Sequence, residues 1–130
     1  PQLDLSRVHF TGKLAYDDYL RVLQVSRLHV YLTYPFVLSW SLLEALATGC
    51  IVLASDTEPV REVIRDGENG MLVPFFDTEA LAAKAVHALA EADTLLPLRE
   101  NARATIMECY DFETRVYPRH LAILARLQNH

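Results

Sequence analysis

Four residues stand out for the chemistry they could do together. Ser39, Trp40, Ser41 and Glu44 fall where an aromatic and polar loop gives way to a helical pattern. An ionised carboxylate makes charge-assisted hydrogen bonds, so Glu44 suits a ligand rich in hydroxyls. Ser41-Leu42-Leu43-Glu44 also fits the S-x-x-E capping box, in which the glutamate only ties down the helix start. Ser39, Trp40 and Ser41 would present backbone N–H groups at a helix N-terminus, where anions are favoured, and the competing role for Trp40 is packing. Lys13 and Leu14 follow Gly12 in a second polar stretch, and Lys13 is equally well read as a solvated surface charge. His9, His29, His87, His120 and His130 are scattered, with no pair at metal-ligand spacing, so no metal is expected. Cys50 and Cys109 form neither a disulfide framework nor a zinc pattern and are read as reduced thiols acting as small hydrophobes. There is no Ser-His-Asp order and no P-loop. Arg65, Arg99, Arg103, Arg115, Arg119 and Arg126 lie on predicted helices and are read as solvated faces.

These side chains need elements to hold them. Val8-His9-Phe10 reads as a short strand stopped by Gly12. Tyr16, Tyr19, Leu20 and Leu23 have the spacing of an amphipathic helix over 16–27. Strands are predicted at 28–33, 50–54 and 71–73, and the continuous run Cys50 to Ala54 fits a parallel sheet covered on both faces. Helices are predicted at 41–48 with Gly49 as its cap, at 59–64, at 78–91 behind Asp77, and at 95–109. A last helix runs from Asp111 towards Leu127, and Pro118 should kink it. Asp66-Gly67-Glu68-Asn69-Gly70 is the strongest turn signal. The alternation of four strands with helices implies an α/β fold, a Rossmann-like parallel sheet flanked by helices. Ligands of such sheets bind at the carboxyl ends of the strands, here Thr11–Leu14, Tyr34–Ser41 and Ser55–Val60.

The chain has 130 residues, 52% apolar and 22% charged, which suits one domain and excludes disorder. With 12 basic and 17 acidic side chains the formal charge is −5, and no basic block points to nucleic acid. The longest apolar runs fall far short of the ~20 residues of a membrane span. Pro1 to Arg7 looks like neither a signal peptide nor a transit peptide. A cytoplasmic protein is expected, with peripheral membrane association of a longer chain left open.

Tyr34 to Ser55, YPFVLSWSLLEALATGCIVLAS, resembles the nucleotide-sugar site of the group 1 (family 4) glycosyltransferases, which have the GT-B fold. Val8 to Leu14 is similar to the family's V-x-F-x-G-x-V/L segment. Ser55 to Asp77 is similar to its run P-E-V-I-x-D-G-x-x-G-x-L-V-x-x-x-D. The resemblance implies retaining transfer of a sugar from a nucleotide-diphosphate sugar to an acceptor hydroxyl, without a further cofactor. Glu44 then matches the glutamate that binds the ribose hydroxyls. Phe36, Val37, Leu38, Ser39, Trp40 and Ser41 border the sugar and diphosphate, and Lys13 and Leu14 border the base. Thr57, Glu58 and Pro59 match the loop after the next strand. Two departures stand out. The family's Glu-x7-Glu pair would place a second glutamate at Phe36, which cannot transfer protons and is read as a pocket wall. The usual Gly-Phe-Gly/Leu run is replaced by Val37-Leu38-Ser39-Trp40.

Residues 1–130 are expected to be the C-terminal portion of the donor-binding domain. The first strands, a basic Arg and Lys pair and the acceptor domain are expected before Pro1. The acceptor (a glycan, lipid or small molecule) would bind through that missing domain. The isolated chain should be inactive, and exposed strand edges should favour its self-association. A non-catalytic nucleotide or nucleotide-sugar binding domain is the alternative, and a flavodoxin-like signalling domain a more distant one.

Overall fold

The computed structural model describes residues 4–34 and 37–128. Three parallel strands, β1 (His29–Tyr31), β2 (Val52–Ser55) and β3 (Met71–Val73), form a sheet in the order β1-β2-β3. Tyr31 pairs in register with Ala54, and Ala54 with Leu72. Among the described residues six α-helices accompany them: α1 (Tyr16–Val25), α2 (Trp40–Ala47), α3 (Glu58–Arg61), α4 (Thr78–Ala90), α5 (Leu96–Cys109) and α6 (Tyr117–Gln128). The α/β class agrees with the sequence pattern, as does the order of elements from α1 onwards.

Alternation along β2 divides the core. Val52 and Ala54 face Leu23 of α1, Leu42, Ala45 and Leu46 of α2, and Ala102 and Ile106 of α5. Leu53 faces the other way, with Met71, Val73, Ala88 of α4 and Leu98 of α5. β2 is buried along its whole length because helices cover both faces of the central strand.

Val8-His9-Phe10 forms no strand, and Phe10 is 87% exposed. A β-prone triplet stays irregular without a neighbour to complete its ladder, and none of the described strands pairs with it. The segment that follows α1 is also shorter than its apolar run, because only His29–Tyr31 lies alongside β2.

Helix α2 starts one residue earlier than the sequence pattern implied. Its cap is Ser39, whose Oγ accepts the Ser41 N–H at 3.3 Å. Ser41 therefore does not cap, and Glu44 makes no capping-box bond. The helix ends at Gly49 as expected. Gly49, at φ +73°, donates to Leu46 O and Cys50 to Ala45 O, the paired bonds of a Schellman turn. Arg99 and Arg103 of α5 donate to Gly49 O at 2.6 Å and Ala47 O at 2.8 Å. These two arginines are helix-end partners, not merely solvated charges, and they favour the negative end of the α2 dipole.

The 66–70 turn is locked by a buried amide. Asn69 Oδ1 accepts the Arg65 N–H at 2.8 Å, and its Nδ2 donates to Val63 O and Thr105 Oγ1, both at 3.0 Å. Gly70 must lack a side chain, since a Cβ there would lie 2.9 Å from Ile64 Cγ2. Asp77 and Asp111 cap as expected, accepting the N–H groups of Ala80 and Thr114. Pro118 sits in the first turn of α6, and the irregularity it demands takes the form of a π turn over Phe112–Val116. No described helix is long and apolar enough to cross a membrane.

Candidate functional site at the carboxyl edge of the sheet

The loop between β1 and α2 is tied at both ends. Ser55 Oγ, fully buried at the end of β2, accepts the Thr33 N–H at 3.0 Å and donates to Thr33 O at 2.8 Å. The Tyr31 hydroxyl accepts the Ser39 N–H at 3.0 Å. A side chain at the end of each of two neighbouring strands thus fixes where the loop leaves the sheet and where α2 begins.

Two hollows open beside this loop. One, of about 600 Å³, is lined by Tyr31, Leu32, Thr33, Val37, Leu38, Ser39 and Trp40. The other, of about 670 Å³, is lined by Tyr34, Val37, Asp56, Thr57, Glu58, Pro59 and Arg61. Val37 lies between them, and Trp40 stands 81% exposed at the head of α2. The expected segments Tyr34–Ser41 and Ser55–Val60 are thereby brought together. Lys13 and Leu14 line neither hollow; Lys13 is exposed and Leu14 partly buried. Phe36 lies outside the described residues.

The head of α2 offers fewer free amides than its sequence implies. Ser39 N–H is held by Tyr31, Ser41 N–H by Ser39 Oγ, and Leu42 N–H by Ser39 O at 3.1 Å. Among the described residues, Trp40 is the one leading amide that these bonds leave over. The Ser39 and Ser41 hydroxyls, 3.0 Å apart, add two exchangeable hydrogen-bonding groups beside it.

Glu44 lies one turn further along α2, partly exposed, and lines neither hollow. Its Oε1 accepts the Tyr16 hydroxyl of α1 at 3.1 Å. That bond, with the adjacent negative charge, raises the Tyr16 pKa. Burial first, and the Glu44 carboxylate second, push Tyr19 up to about 12. The Tyr19 hydroxyl is buried, with no hydrogen-bond partner among the described residues. Both tyrosines read from sequence as the apolar face of a helix; a hydroxyl on each, at i and i+3, was the available sign of a polar role.

Asp56 and Arg61 are also brought to this edge. Arg61 Nε and Nη2 meet Asp56 Oδ1 and Oδ2 at 2.5 and 2.8 Å. The guanidinium holds the Asp56 carboxyl below its usual range. An acid just past a buried strand, five residues before an Arg on the next helix, is the sequence signal for this pair. Among the described residues no group of three or more His, Cys, Asp or Glu side chains is placed to hold a metal ion.

Residues 2–105 match the family model described as glycosyl transferases group 1, and the chain belongs to that family. It is 28% identical over 123 residues to an uncharacterized glycosyltransferase of Methanocaldococcus jannaschii, covering 94% of this chain and 31% of that protein. It is 45% identical over 71 residues to the phosphatidyl-myo-inositol mannosyltransferase of Mycobacterium leprae, covering 55% of this chain and 19% of that protein. The sucrose-phosphate synthase structure from Thermosynechococcus elongatus superposes with a TM-score of 0.80 at 25% identity, over 96% of this chain and 31% of that one. The chain thus spans at most 31% of the length of these relatives.

Proposed function

We propose that residues 1–130 form the C-terminal portion of the donor-binding domain of a GT-B glycosyltransferase. The whole enzyme moves a sugar from a nucleotide-diphosphate sugar to an acceptor hydroxyl with retention at the anomeric carbon. Glu44 grips the ribose hydroxyls. Trp40 N–H and the Ser39 and Ser41 hydroxyls face the diphosphate, where fixed donors stabilise charge developing on the leaving group. Phe36, Val37 and Leu38 border the sugar, and Lys13 and Leu14 border the base. The other half of the cleft and the acceptor contacts come from the rest of the enzyme.

One observation carries this reading. In a chain of the group 1 family, the Glu44 carboxylate is tethered through Oε1 alone, and among the described residues Oε2 makes no hydrogen bond. A partly exposed carboxylate with a free oxygen, one turn into the helix that starts at the strand ends, is available to a vicinal diol. Ser39 rather than Ser41 caps α2, so no capping box occupies Glu44.

The test is calorimetric titration of the full-length protein with UDP, GDP and ADP and with their 2′-deoxy counterparts. The best ribonucleotide should bind about tenfold tighter than its deoxy form, the scale of one charge-assisted hydrogen bond. Glu44→Ala should abolish that preference. An unchanged preference in the variant removes Glu44 from the ribose. Residues 1–130 alone should show no turnover, and transfer by them would contradict the division of the site.

A further inference from the structure

Tyr16 and Tyr19 stand on one face of α1, their ring centroids 6.2 Å apart. Tyr16 reaches across to α2 and donates its hydroxyl to Glu44 Oε1, joining residues 28 positions apart. Tyr16 as a whole is 60% exposed, so hydrophobic burial does little to explain its placement, whereas its polar end has a definite partner. Tyr19 packs against the core beneath it, and its buried hydroxyl has no partner among the described residues. A carboxylate on an exposed helix turn would otherwise sample several rotamers, and ordering it on ligand binding costs affinity.

We propose that Tyr16 is a positioning residue for donor binding: its phenol holds Glu44 Oε1 so that Oε2 stays presented to the ribose diol. This rests on the reading of Glu44 as the ribose contact. Tyr16 touches no part of the donor and acts through the carboxylate alone. Its contribution therefore exists only while Glu44 is present, and it affects discrimination between ribose and deoxyribose.

The experiment titrates UDP, GDP, ADP and their 2′-deoxy forms against the full-length protein, as wild type and as Tyr16→Phe, Glu44→Ala and the double variant. In Tyr16→Phe the best ribonucleotide should bind about tenfold more weakly and the preference over its deoxy form should shrink towards unity. In the Glu44→Ala background the same change should have no further effect, since the interaction energy of the pair has already been removed. Glu44→Ala weakening binding while Tyr16→Phe leaves it unchanged overturns the positioning role and spares the ribose contact. Additive losses, or a fall in melting temperature with the preference intact, overturn it as well by making Tyr16 an independent or structural group. If Glu44→Ala binds like wild type, or if none of the three ribonucleotides binds the wild type, the ribose contact fails and the positioning role fails with it.

Discussion

At the residue scale the candidate site is held by hydroxyl groups. Tyr31 and Ser55 each bond a backbone group of the β1–α2 loop, Ser39 caps the helix that follows, and Tyr16 bonds the carboxylate that helix carries. Tyr19 and Thr57 are the exceptions, buried hydroxyls with no partner among the described residues, and Tyr19 stands beside the Glu44 charge. Removing an unsatisfied polar group from the interior is neutral or favourable, so Tyr19→Phe should leave stability unchanged or raise it in urea denaturation near pH 7. The same residue sets an alkaline limit. Its folded pKa of about 12 lies above the usual value near 10, so between those pH values the unfolded chain releases a proton that the folded chain retains. Stability should therefore fall with rising pH through that window, and Tyr19→Phe should flatten the fall. An identical pH profile in the variant would assign the alkaline loss to other groups.

At the element scale α2 decides the geometry, because its start sets where Trp40 and Glu44 stand. Two serines compete as its cap in sequence, and the bond of Ser39 Oγ to the Ser41 N–H selects the first. Ser39→Ala should cost about 1 kcal/mol in urea denaturation, the usual value of a lost N-cap, and Ser41→Ala clearly less. Equal losses would mean that the two hydroxyls cap as a pair. The far end of α2 is held from outside the element, by Arg99 and Arg103 of α5. That link lies 50 or more positions along the chain, beyond any local pattern.

At the scale of the whole molecule the sheet is narrow, three strands among the described residues. β1 and β3 are both edge strands, and Val30 and Leu32 at the β1 side are 45% and 44% exposed. An open edge with apolar neighbours templates pairing with another strand. Residues 1–130 alone should therefore associate as concentration rises in sedimentation velocity, and a single monomeric species at every concentration would count against an available edge.

Much of the molecule was legible in the residues themselves. The buried run ending in Val52-Leu53-Ala54, the turn around Asn69, the Asp77 and Asp111 caps and the Gly49 stop are local signals, written within a few residues of where they act. The family resemblance was equally readable, because it lies in the order of short motifs along the chain. Val8-His9-Phe10 shows the limit: a strand exists only with a neighbour, and propensity does not supply one. The surroundings of Glu44 were out of reach for the same reason. Its partner hydroxyl sits 28 residues away on α1, and only the packing of α1 and α2 against the sheet brings phenol and carboxylate within a hydrogen bond.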